Sequence, residues 1–138
     1  MQRTSGNYGF EVKDSMGHSL QTDSSRDNGG DDGGFRPMQL MLAALGSCSA
    51  IDMVSILQKQ KQTLTGLKII IEGEREHDII PSLWKKIRVQ FELSGDINFD
   101  KAKRAAELSI EKYCSVAETL RRAGATISYT MEIVSAAN

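Results

Sequence analysis

Two cysteines offer the widest chemistry in this 138-residue chain. Cys48 stands in L-G-S-C-S-A, among Gly46, Ser47, Ser49 and Ala50, small residues that let a ligand or another backbone approach closely. Cys114 stands in E-K-Y-C-S-V-A-E, where Ser115 and Glu118 have the S-x-x-E spacing of a capping box. Its sulfur is therefore expected at a helix N-terminus, where free backbone N–H groups favour a thiolate. Taken singly, a cysteine on a buried helix is most often a small hydrophobe. Taken as a pair, the two thiols suggest a peroxidatic and resolving couple. In that chemistry a thiolate attacks a peroxide, becomes a sulfenic acid and condenses with its neighbour to a disulfide. Asp52 follows Cys48 by one helical turn, so a shared face would set a carboxyl beside the thiol. His18 and His77 show no close ligand spacing with the cysteines, and no metal site is expected.

The elements that must position these thiols can be read from periodicity. Cys48 lies within Pro37 to about Lys61, a run that starts on a favoured first helical residue and is apolar almost all the way round. Such a helix is expected to be buried. Before it, Tyr8 to Lys13 and His18 to Thr22 read as two short strands joined by a turn at Ser15-Met16-Gly17. Residues 23–36, rich in glycine and aspartate with almost nothing to pack, read as a flexible loop over a site. After the helix, Leu67 to Glu76 reads as a strand. In Lys86 to Leu93, the apolar Ile87, Val89, Phe91 and Leu93 alternate with polar residues, which predicts a half-buried antiparallel strand. Asn98 is placed to cap a helix through Tyr113. A further helix begins at Cys114 or Ser115 and stops at Gly124, and Ile127, Tyr129, Met131 and Ile133 alternate in a last strand.

The expectation is one α+β domain over residues 1–138, an antiparallel sheet carrying a long central helix. One sheet covers only part of a helix that is apolar on all sides. A second copy of the chain around a two-fold axis is the simplest cover, so a homodimer is expected.

Composition removes several classes. A net charge of −1 gives no basic field for nucleic acid and no polybasic membrane patch. The run from Met38 to Leu57 approaches membrane-spanning length, but a mid-segment Asp52 is costly in lipid, so a core helix is expected rather than a span. The first twenty residues hold no signal-like apolar segment, which points to a cytoplasmic protein whose thiols stay free or redox-active.

The stretch R-P-M-Q-L-M-L-A-A-L-G-S-C-S-A, with E-K-Y-C-S-V-A-E further on, resembles the OsmC/Ohr family of organic hydroperoxide-reducing proteins. The run C-S-A-I-D-M-V-S-I-L-Q-K is most similar to its YhfA-like branch. The resemblance implies an intertwined dimer with central helices at the interface and sites built from both chains. It implies that Cys48 is peroxidatic and Cys114 resolving, with an organic hydroperoxide as substrate, a dithiol or lipoyl-type reductant and no cofactor. The residue after the proline, a glutamate in that family, is Met38 here, and Ser115 replaces the proline after the second cysteine. Arg26, with Arg36 second, is the candidate to hold the thiolate. Met38, Met41, Leu45 and Met53 are the candidates to line the substrate site. Two functions stay open: a thiol peroxidase for organic hydroperoxides, and a relative without that activity that binds a small apolar molecule or senses redox state.

Overall fold

The computed structural model describes residues 1–135. The chain separates into two compact units, Met1–Met41 and the remainder from Leu42. In the first, β1 (Gln2–Ser5), β2 (Gly9–Lys13) and β3 (Ser19–Thr22) form an antiparallel sheet in sequence order. The hairpin between β2 and β3 closes on Asp14, whose carboxylate accepts the N–H groups of Met16 at 2.8 Å and His18 at 2.9 Å. Gly17 holds φ +89° there, a conformation that suits glycine. The glycine-rich segment after β3 is organised around one side chain. Asp23 is buried, and its carboxylate accepts from the backbone N–H of Ser24 (2.7 Å), Asp31 (3.2 Å) and Gly33 (3.0 Å). Those donors, Gly33 foremost, hold its carboxyl below the usual carboxylate range.

The second unit contains a sheet of β4 (Thr63–Arg75), β5 (Trp84–Asp96) and β6 (Thr126–Ile133), in the order β4-β5-β6. The expected alternation of β5 is present: Ile87, Val89, Phe91 and Leu93 are buried, while Lys86 and Arg88 face outward. Two features differ from the sequence reading. The described residues form two three-stranded sheets, not one, because β1, β2 and β3 pair only with one another. Only β4–β5 is antiparallel, whereas β5 and β6 run parallel. Parallel neighbours need a long crossover. Here α2 (Phe99–Leu108) and α3 (Ser115–Arg122) fill it.

The long helix α1 (Pro37–Lys59) begins in the first unit and continues through the second. Its inward stripe is Leu45, Ser49, Met53 and Leu57, at intervals of four residues. The opposite face is open: Ala43, Ala44, Ser47 and Ile51 are exposed, Ile51 by 68%. Within one chain, then, the helix is covered on one side only, which agrees with the expectation that a single sheet cannot cover a helix apolar all round.

The expected cap of α2 is in place, with Asn98 accepting the Lys101 N–H at 3.1 Å. The helix expected to reach Tyr113 changes character at Ser109. Ser109–Tyr113 form a wider π-helical turn, closed by the Cys114 N–H on the Ser109 carbonyl at 2.9 Å. Such turns recur at functional sites.

A candidate dithiol site on the long helix

Cys48 and Asp52 share one face of α1, one turn apart. The π turn delivers Cys114 to the same place. The two sulfurs and a carboxylate oxygen of Asp52 all lie within 4.8 Å of one another. Both cysteines are free; Cys48 is half-buried and Cys114 is buried. A disulfide needs sulfurs about 2.05 Å apart, so a rotamer change and a small approach would join them.

The surroundings of Cys114 follow from its position. The capping box read from Ser115 and Glu118 is not formed, because the N-cap of α3 is Cys114 itself. Its sulfur accepts the Ala117 N–H at 3.3 Å and lies 3.8 Å from the Ser49 hydroxyl. Glu118 instead pairs with Arg122 at 2.8 Å, which with that cation's field holds its carboxyl low. Burial pushes the Cys114 thiol up, and the neighbouring Cys48 sulfur adds to this, while the Ala117 N–H and Ser49 pull the other way. Cys114 is thereby held toward its protonated thiol form.

Two serines, neither singled out by the sequence, tie these parts together. Ser49 donates to the Leu45 carbonyl at 2.8 Å while facing Cys114. Ser109 donates to the Ser49 carbonyl at 3.3 Å, and its hydroxyl also lies 3.5 Å from Asp52 Oδ2. Burial raises the Asp52 pKa, and the Ser109 contact offsets part of that rise. A hydroxyl five residues before a second cysteine is too common a pattern to signal a site. For Asp52, the legible mark is the C-x-x-x-D spacing from Cys48.

Asp52 opens on a cavity of about 520 Å³ lined by Ser55, Ile56, Lys59, Gln60, Leu108 and Tyr113. Gln60 Oε1 is buried and has no hydrogen-bond partner among the described residues, leaving an acceptor available on that wall. Tyr113 also borders a second depression, of about 360 Å³, which includes Cys114 and Glu118. Two thiols and one carboxyl are also donors that a soft divalent ion uses, but among the described residues no fourth such donor joins the group.

The other expected site residues fall as follows. Leu45 and Met53 are wholly buried and belong to the core. Met38 is half-buried and Met41 is 37% exposed, both in the first turns of α1. Arg26 lies in a one-turn 3-10 segment of the first unit, with its Nε 3.6 Å from Asp32, and Arg36 pairs with the same carboxylate.

Fold and site together define a small α+β dithiol protein, with one thiol on a long central helix and the other capping a short one. Comparison with known proteins narrows the class. The family model described as OsmC-like protein matches residues 29–130. Protein YhfA of Escherichia coli K12 is 38% identical over 128 residues, 92% of this chain and 91% of YhfA. The crystal structure of a hypothetical protein from Aquifex aeolicus VF5 superposes with a TM-score of 0.81 at 28% identity, covering 96% of this chain and 92% of that one. An organic hydroperoxide resistance protein from Legionella pneumophila shares the fold, with a TM-score of 0.66 at 18% identity, covering 89% and 87%. The chain belongs to the OsmC-like family.

Proposed function

We propose that the protein is a thiol peroxidase that reduces organic hydroperoxides, with Cys48 peroxidatic and Cys114 resolving. The observation behind this reading is the convergence of the two free sulfurs and the Asp52 carboxyl within 4.8 Å. Cys48 is the more accessible thiol and Cys114 the more buried one, kept protonated by its surroundings. That asymmetry matches the order of events. Cys48 meets the peroxide first, and Cys114 attacks the resulting sulfenic acid. The half-apolar cavity beside Asp52, with Ile56, Leu108 and Tyr113 in its wall, suits an alkyl or aryl hydroperoxide better than hydrogen peroxide. A small dithiol or lipoyl-type group would return the disulfide to two thiols by exchange.

The working unit in this reading is a homodimer in which a second copy covers the open face of α1 at Ala43, Ala44, Ser47 and Ile51. Name and fold lend support from the family side, since the Legionella pneumophila neighbour is described as an organic hydroperoxide resistance protein.

The test is peroxide consumption with dihydrolipoamide as reductant, comparing cumene and tert-butyl hydroperoxide with hydrogen peroxide. Faster turnover of the organic peroxides, lost in Cys48→Ser, supports the enzyme. A single stoichiometric oxidation without turnover would favour redox sensing, the alternative to which the same dithiol lends itself.

A further inference from the structure

The peroxidase reading leaves a proton without a carrier. An ordinary thiol, with a pKa of about 8.5, must lose its proton before attack, and the alkoxide expelled from a hydroperoxide must gain one. We infer that the Asp52 carboxyl is the proton relay of this site, taking the proton of Cys48 and returning it to the leaving alkoxide. This rests on the peroxidase reading and goes a step beyond it.

Several independent features of the geometry support Asp52 in this role. It shares a helix face with Cys48 and lies within 4.8 Å of both sulfurs, so one carboxyl serves both thiols. It also lines a cavity of about 520 Å³, so a molecule held there lies against a carboxyl that is within 4.8 Å of the Cys48 sulfur. Among the described residues it makes no ion pair that would fix it as a carboxylate; Ser109 is its one hydrogen-bond neighbour, at 3.5 Å. Partial burial then favours the protonated acid. The titratable and charged groups around it are Cys48 and Lys59 on α1, Tyr113 of the π turn and Cys114 at the start of α3.

The cycle balances. Asp52 carboxylate removes the Cys48 proton, giving thiolate and carboxylic acid. The thiolate sulfur forms a bond to the outer peroxide oxygen, and the O–O bond breaks. Cys48 is oxidised to sulfenic acid, and the alkoxide takes the proton from Asp52 and leaves as the alcohol. Asp52, again a carboxylate, then accepts the Cys114 proton as that sulfur attacks Cys48. It passes the proton to the departing hydroxide, so water leaves and the disulfide forms. The dithiol reductant supplies two electrons and two protons to restore both thiols.

The active state holds one proton on the Cys48–Asp52 pair, so the wild-type rate against pH should be bell-shaped. The test compares wild type, Asp52→Asn and Asp52→Glu in two reactions of Cys48: oxidation by cumene hydroperoxide, which needs a proton for the leaving group, and alkylation by iodoacetamide, which does not. Asp52→Asn should slow peroxide oxidation about a hundredfold and turn the bell into a single rising limb. Its alkylation, which needs the thiolate but no proton for a leaving group, should fall by a much smaller factor, and Asp52→Glu should recover part of the peroxide rate. Equal slowing of both reactions would show a structural role and overturn the relay. An unchanged peroxide rate and profile in Asp52→Asn, with a fast wild type, overturns the relay alone. A wild type no faster with cumene hydroperoxide than free cysteine overturns the peroxidase reading and the relay with it.

Discussion

The Ser109 hydroxyl donates to the backbone carbonyl of Ser49 at 3.3 Å, fastening the π turn to α1 one residue past Cys48. Both residues are fully buried. That bond fixes how far the N-cap of α3, and hence the Cys114 sulfur, stands from Cys48. Ser109→Ala should cost about 1 kcal/mol of stability, the ordinary net worth of a buried hydrogen bond. It should also slow disulfide closure relative to the first oxidation of Cys48. Denaturant unfolding and stopped-flow oxidation measure the two effects separately.

The raised pKa of Asp52 makes a prediction about stability with its own sign. A carboxyl whose folded-state pKa lies above its unfolded value favours the fold below the unfolded pKa, and that contribution is lost as pH rises through the folded pKa. Ionisation of the partly buried Asp52 as pH rises therefore works against the fold. Asp52→Asn should raise the melting temperature at pH 7, and the gain should vanish toward pH 3. A gain that grows on acidification would contradict the assigned burial effect.

Gly73 in β4 faces the ring of Trp84 so closely that an added Cβ would sit 2.6 Å from a ring carbon. An indole cannot fold aside as a long side chain does. Gly73→Ala should therefore destabilise by about 1–3 kcal/mol, the usual range for overpacking a core. Thermal unfolding followed by Trp84 fluorescence reads both the loss and its site.

The open face of α1 predicts association. Ile51 is 68% exposed on a helix whose neighbours on that face are Ala43, Ala44 and Ser47. Wild type should sediment as a dimer at micromolar concentration with an interface above about 2,000 Å², and Ile51→Lys should shift it to monomer. A wild-type monomer at those concentrations would refute the homodimer.

The elements legible in the sequence are those in which local pattern and tertiary position agree. The two-residue period of Ile87, Val89, Phe91 and Leu93 is the pleat of β5, and Asn98 caps α2 by a bond three residues long. Features settled by distant partners were not legible. β1 is a short, fully exposed Q-R-T-S stretch with no alternation, and only its pairing with β2 makes it a strand. The parallel direction of β6 depends on where the crossover helices return the chain. Asp23 looked like one of several loop aspartates, yet it alone gathers three backbone donors. At the site, the pairing of Cys48 with Cys114 was readable. The cap lies one residue earlier than the S-x-x-E spacing suggests, since a sulfur rather than the Ser115 hydroxyl takes the Ala117 N–H. Ser109 gave no local sign because its role arises only when the π turn meets α1.

The most direct measurement is the product of one oxidation. Reduced wild-type protein treated with one equivalent of cumene hydroperoxide should lose both free thiols, and peptide mapping without reductant should recover Cys48 joined to Cys114 within one chain. Cys114→Ser should stop at a sulfenic acid on Cys48, trapped by a dimedone-type probe, and Cys48→Ser should leave Cys114 reduced. Recovery of two unlinked thiols, or of disulfides only between chains, would contradict the account.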